Sequence, residues 1–206
     1  MLTDIPKTGI DWDFLDKREG GQQLWGYVPT HDGDNKDKSG VTIATGFDLG
    51  QHNLDDLKKM GLSNTLIKKL YLYLGFRDED AWGYLQKFPL KITKEEADQI
   101  DEAMKVKVVM RLARDFRLRT GEAFTLLPPQ VQTVLFSLAW NFGEALPLNL
   151  PDTYGKFLKS WESGDWSTFQ TQLANFPSKN PELRKRRLKE AEYLLPLCRT
   201  TLIDPD

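Results

Sequence analysis

The chain is poor in the residues that bind metals or form crosslinks: one cysteine, Cys198, and two histidines, His31 and His52, among 206 residues. A single thiol excludes an intrachain disulfide and any multi-thiolate metal site, and two imidazoles leave little for a zinc centre. No segment approaches the roughly 18 consecutive apolar residues that a membrane-spanning helix requires. The most apolar run, VLFSLAW at 134–140, has the length of a core helix segment. A basic excess is also missing, with 28 Lys and Arg against 30 Asp and Glu. A net charge of −2 speaks against nucleic acid or a membrane surface as partner, since both usually demand positive charge. The opening MLTDIPKTGIDWDF lacks the basic stretch and apolar core of a secretory signal, so synthesis in the cytoplasm is expected. What is present is 40 % hydrophobic content with six tryptophans, enough to build a core. The length fits one domain, or one domain in two lobes.

Pattern and punctuation predict an α+β protein that is mainly helical. Asp11 is placed to cap a first helix running through Arg18 or Glu19, stopped by Gly20-Gly21. The helical period then vanishes until Gly50. QLWGYV (23–28) and VTIATGF (41–47) are rich in β-branched and aromatic residues, and THDGDNKDKSG (30–40) between them has turn composition. Two or three short antiparallel strands are expected there. Helical segments follow at 54–60, 63–74 and 79–87. Thr93 with Glu96 forms a capping box opening a long helix to about Arg119. Pro129 opens and Gly143 ends a helix apolar around most of its circumference, the expected central buried one. Helices near 153–162, 166–175 and 181–195 complete the set. The expected organisation is one domain over 1–206: a β-containing N-terminal lobe at about 1–92, a connecting helix at about 93–119, and a helical C-terminal lobe at about 120–206.

Five positions stand out chemically. Glu19 falls four after Leu15 and seven after Trp12, so on a continued helix it extends an apolar stripe and sits at the negative end of the helix dipole. Both effects favour a protonated carboxyl, as general acid catalysis needs. Thr42 and Asp48 share strand parity but lie about 20 Å apart on a straight strand, so joint action requires a bend, cheapest at Gly46. Arg187, four after Leu183 and four before Ala191, occupies the inner stripe of its helix and needs a carboxylate. Its neighbours Lys185, Arg186 and Lys189 read as a solvated face. Asn141, in the apolar central helix, either satisfies a backbone group or reads an amide on a ligand.

These residues in this order resemble the phage-type lysozyme superfamily, most closely the muramidase domain of pesticin-like bacteriocins. FLDKREGG (14–21) is similar to that family's helix ending in a catalytic glutamate. SGVTIATGFDLGQ (39–51) resembles its hairpin block, with a threonine 23 residues after the glutamate and an aspartate six further on. LFSLAWNFG (135–143), SGDW (163–166) and RKRRLKEAEYL (184–194) resemble its C-terminal signature, a central helix ending in Asn-x-Gly and a late helix with paired arginines and a glutamate. One departure is Val28, where ordinary phage lysozymes carry an aspartate nine residues after the glutamate. The loop aspartates Asp32, Asp34 and Asp37 therefore stay open as substitutes for Asp48. A second departure is the net charge, since many phage lysozymes are basic.

The resemblance implies a two-lobe lysozyme-like fold and hydrolysis of the β-1,4 bond between N-acetylmuramic acid and N-acetylglucosamine in peptidoglycan. It implies Glu19 as acid, Asp48 as base or electrostatic stabiliser, Thr42 as the holder of the attacking water, and inversion at the anomeric carbon. Arg187, or Arg184 one turn earlier, would orient Glu19, and Asn141 would contact an acetamido group. No cofactor and no metal is expected. The partners expected are peptidoglycan glycan strands and a cognate immunity protein, with a monomeric chain acting at the cell wall or periplasm after secretion or lysis. An injected antibacterial effector or toxin is the favoured setting, since residues 1–10 read as a natural start, and a phage endolysin is the alternative. Two other readings stay open: a non-catalytic peptidoglycan-binding domain, and a glycosidase acting on chitin or chitosan. The joint presence of Glu19, Thr42 and Asp48 speaks against the first.

Overall fold

The computed structural model describes residues 7–17, 21–29 and 39–199, the side chain of Arg199 excepted. A short helix α1 (Trp12–Asp16) is followed by strands β1 (Gln23–Tyr27), β2 (Thr42–Ala44) and β3 (Phe47–Asp48). Helices α2 (Leu54–Lys59), α3 (Asn64–Leu70), α4 (Asp78–Lys87) and the long α5 (Lys94–Thr120) come next. The remainder is helical: α6 (Pro129–Phe142), α7 (Leu146–Asn149), α8 (Pro151–Ser163), α9 (Ser167–Ala174) and α10 (Pro181–Arg199). This is an α+β fold of lysozyme type, dominated by helix, with its antiparallel sheet near the N-terminus.

The chain divides into two compact units, each with its own core. One comprises the described part of residues 19–107; the other takes 7–17 together with 108 onward. The first buries Ile43, Phe47, Leu49, Leu57, Leu66, Leu70, Ile92, Ala97 and Ile100. The second is built on α6, whose Val131, Val134, Leu135, Leu138 and Ala139 are all buried, as the sequence leads one to expect of the central helix. Helix α5 supplies Ala97, Ile100 and Ala103 to the first core and Val109, Leu112 and Phe116 to the second. It opens on the expected capping box, Thr93 N donating to Glu96 Oε2 (2.8 Å) and Glu96 N to Thr93 Oγ1 (3.2 Å).

The assignment of α1 to the β-containing lobe is not what the structure shows. Ile10 and Leu15 pack into the second core, and the Trp12 ring meets Phe136 edge-on at 5.0 Å. Polar ties reinforce this: Gly9 N donates to Gln132 Oε1, Asp11 N to Thr133 Oγ1, and Tyr193 Oη to Asp11 Oδ2. Asp11 caps α1 as expected, its carboxylate accepting from Phe14 N. The helix is described over Trp12–Asp16 with Lys17 as C-cap, and the end at Arg18 or Glu19 that the stripe suggested lies outside the described residues.

In the first unit the sheet order is β1-β2-β3, both pairings antiparallel. The bend required between Thr42 and Asp48 is a tight turn, with Ala44 (φ 50°) and Gly46 (φ 87°) both left-handed. The hairpin it closes sets Thr42 opposite Asp48 and Ile43 opposite Phe47.

Candidate active site

Strand alternation divides the sheet into two faces. Ile43 and Phe47 turn into the core, with Leu24 partly buried beside them. Gly26 shares that inner side: a Cβ there would lie 3.0–3.2 Å from Val41, Leu90 and Leu85 side-chain atoms. The opposite face carries Tyr27, Thr42 and Asp48, each paired directly with the next across the three strands. Directly paired residues project to the same side of a sheet. Leu49 N donates to Val41 O, which makes Thr42–Asp48 a closely spaced pair with Cα atoms about 4.5 Å apart. Two residues six apart in sequence thus become neighbours.

The Asp48 carboxylate is clasped by backbone. Its Oδ1 accepts from Gly40 N (2.9 Å) and Gly50 N (2.8 Å), fixing its direction and capping the 3-10 turn Leu49–Gln51; Oδ2 enters neither bond. The clasp depends on glycine. A Cβ on Gly40 would stand 2.5 Å from Gly50 backbone and from Phe76 O, and one on Gly50 would stand 2.6 Å from Phe76 O. Thr42 is buried and its Oγ1 donates to Gly40 O at 3.3 Å, which leaves the hydroxyl lone pairs to accept from a water.

Chain segments on either side of the sheet are pinned to α5. Gln22 Nε2 donates to Asp98 Oδ1 and Asp101 Oδ2, both at 2.8 Å. Thr45 N and Oγ1 donate to the two Asp101 oxygens at 3.0 and 2.7 Å. Asp101 therefore ties the hairpin turn and the start of β1 to one helix. The Gln22 amide, with Lys94, holds the Asp98 carboxyl below its ordinary value. Glu19, three residues before Gln22, lies outside the described residues, as do Arg18, Gly20 and the loop aspartates Asp32, Asp34 and Asp37.

A second polar cluster sits inside the other unit. Arg187 is fully buried, as its place on the inner stripe of α10 requires, and the carboxylate beside it is Glu190, also fully buried. Ser137 of α6 donates to Glu190 and accepts from Arg186 Nε and Nη2 (3.1 and 2.9 Å). Arg187 Nη2 also donates to Asn141 Oδ1 at 2.9 Å, and its guanidinium carbon lies 5.6 Å from the Phe142 ring centroid. Burial pushes the Glu190 carboxyl above its ordinary range, against the pull of both guanidiniums and of Ser137. Arg186 is thus a member of the cluster and not of a solvated face; Lys189, paired with exposed Glu192, does belong to that face. Asn141 meets a guanidinium rather than a backbone group, and Arg184 is exposed on α10.

Of the residues singled out in the sequence, the fold thus joins Thr42 with Asp48 in one unit and Arg187 with Asn141 in the other. Sequence reasoning gave no role to Ser137, Asp101 or the glycine pair. The i,i+3 spacing of Arg187 and Glu190 was the one available signal for the buried ion pair. Among the described residues no three His, Cys, Asp or Glu side chains converge as metal ligands. None of the described helices is long and apolar enough to cross a membrane.

A family model described as "Pesticin: Bacterial toxin homologue of phage lysozyme, C-term" matches residues 9–162, three quarters of the chain. None of the curated proteins matches.

Proposed function

The chain belongs to the pesticin family of phage-lysozyme homologues, and from that premise we propose that it is a muramidase that cleaves the glycan strands of peptidoglycan. The observation that carries the proposal is the facing pair Thr42 and Asp48, with a carboxylate held rigid by two backbone N–H groups inside the matched segment. Acetal hydrolysis needs an acid at the leaving oxygen and a second carboxylate that activates water or stabilises the oxocarbenium-like centre. Glu19 gives its proton to the bridging oxygen as the C1–O bond breaks. A water, accepted by the Thr42 hydroxyl and deprotonated by Asp48 Oδ2, adds to C1 from the opposite side. The product sugar carries the new hydroxyl with inverted configuration, and the proton on Asp48 returns to Glu19 through solvent. Inversion requires the two carboxyl groups to stand about 6.5–9.5 Å apart.

The clasp also favours a second reading, in which Asp48 is a structural cap and one of Asp32, Asp34 and Asp37 supplies the second carboxylate. Asp48→Asn separates the two, because an amide oxygen still accepts from Gly40 and Gly50 but cannot take a proton from water. Loss of wall clearing in a turbidity assay, with unfolding temperature unchanged, supports the catalytic role. Full clearing by Asp48→Asn and its loss in a loop variant supports the cap. The setting we propose is an antibacterial toxin or injected effector that reaches the periplasm by a secretion or lysis route. A small tight-binding immunity protein recovered from the producing cell supports that setting over an endolysin.

A further inference from the structure

The sheet face that carries Thr42 and Asp48 continues outward onto side chains with no role in the steps above. Along β1, Gln23, Trp25 and Tyr27 are exposed in alternation. Trp25 lies one strand repeat of about 7 Å from Tyr27, and Tyr27 stands directly opposite Thr42. On the free side of β1 the chain adds residues 90–92. Trp25 and Lys91 form an antiparallel bridge flanked by Gly26 N donating to Leu90 O and Ile92 N to Leu24 O, both 2.9 Å. Such a pair is of the close, non-hydrogen-bonded kind, so the two side chains lie together on one face. The Lys91 ammonium stands 4.8 Å from the centroid of the Trp25 ring.

Three features make this more than surface decoration. Trp25 and Tyr27 are large aromatics left 57 % and 39 % exposed on a strand whose other side is pressed tight at Gly26, so they are displayed on a stiff support. Their polar ends are free: neither the Trp25 indole N–H nor the Tyr27 hydroxyl has a hydrogen-bond partner among the described residues. Lys91 makes no ion pair among the described residues, and its ammonium lies over one face of the Trp25 ring. An aromatic face stacks on the C–H face of a pyranose, while indole N–H and phenol reach its hydroxyl edge. The ammonium next to the ring matches a sugar that carries a carboxylate.

Resting on the muramidase reading, we infer that Trp25, Tyr27 and Lys91 form a saccharide platform beside the Thr42–Asp48 pair that selects a sugar bearing a carboxylate. In a glycan strand that sugar is the muramic acid residue, with its lactyl group or the peptide attached there. Chitin offers only the stacking half of this recognition, and chitosan, being cationic, is repelled by Lys91.

The test is calorimetric binding of two oligosaccharides of equal length, a peptidoglycan-derived glycan and neutral chitotetraose, to the full chain carrying Glu19→Gln to prevent turnover. Trp25→Ala in that background should weaken both ligands about tenfold, the scale of one good aromatic contact. Trp25→Phe should restore most of the loss. Lys91→Gln should weaken the acidic glycan alone, by a factor that shrinks as salt rises. Equal affinity of Lys91→Gln and its parent for the acidic glycan overturns the carboxylate selection, and unchanged binding by Trp25→Ala overturns the platform. So does absence of binding by the parent. Failure of the muramidase reading shows separately, as the absence of wall clearing by wild type.

Discussion

Asp48 and its two glycines do at residue scale what a catalytic carboxylate needs: one oxygen is tied, so the other has a fixed direction. Asp48→Ala removes the cap and both acceptor bonds and should cost about 1–2 kcal/mol in urea unfolding, whereas Asp48→Asn should leave stability near wild type. Gly40→Ala tests the clasp from its other side. The added methyl would overlap Gly50 backbone at 2.5 Å, and backbone cannot swing aside as a flexible side chain can. A loss of about 1–3 kcal/mol in thermal unfolding is expected, with activity falling alongside as Asp48 loses its orientation. The facing of Thr42 and Asp48 was legible only conditionally: joint action on one substrate would require a bend, and Gly46 marked where it could come. The clasp was not. It joins Gly40 to Gly50 through the hairpin, and spacing alone does not show that two glycines touch.

At the scale of elements, the polar ties decide which pieces move together. Helix α1 has only five residues, too few to hold itself by propensity. It depends on its Asp11 cap and on packing against α6. Phe14 N, first, and then the Tyr193 hydroxyl keep the Asp11 carboxyl below its ordinary 3.8. A carboxyl with a lowered folded pKa stabilises the fold above its unfolded value, and that contribution is lost as pH falls through the folded one. Asp11→Asn should therefore flatten the part of the acid unfolding curve below about pH 4, and Asp11→Ala should cost about 1 kcal/mol near neutrality. Both are read by circular dichroism across pH. Between α6 and α10 the polar ties run from the buried Arg187–Glu190 pair of α10 to Ser137 and Asn141 of α6. Arg187→Met takes the nearer guanidinium from buried Glu190, which then keeps only Ser137 and Arg186, and should cost about 3–5 kcal/mol, while the double change with Glu190→Met should recover part of that loss. Double-mutant unfolding measures the coupling. Helix positions in the sequence were readable from capping boxes, prolines and apolar periods. Arg186 was misjudged because charge runs normally face solvent; only the three-dimensional neighbour Ser137 turns it inward. Helix α7 went unseen because four residues, LPLN, show no period.

At the scale of the whole molecule, the α+β, mostly helical architecture was legible because α6 is apolar around its circumference and the helical period vanishes between Gly21 and Gly50. The membership of α1 was not legible, since sequence order places it beside the strands while Trp12, Leu15 and Asp11 bond it to α6 and α10. The chemistry proposed for the whole protein turns on the proton held by Glu19. The direct measurement is the release of new reducing ends from purified peptidoglycan, with products identified by mass, for wild type beside Glu19→Gln. The acid role predicts muropeptides ending in N-acetylmuramic acid from wild type and a rate at least about 100-fold lower from the variant, the scale of general acid catalysis. Equal rates from the two proteins, or no muropeptides from wild type, would contradict it.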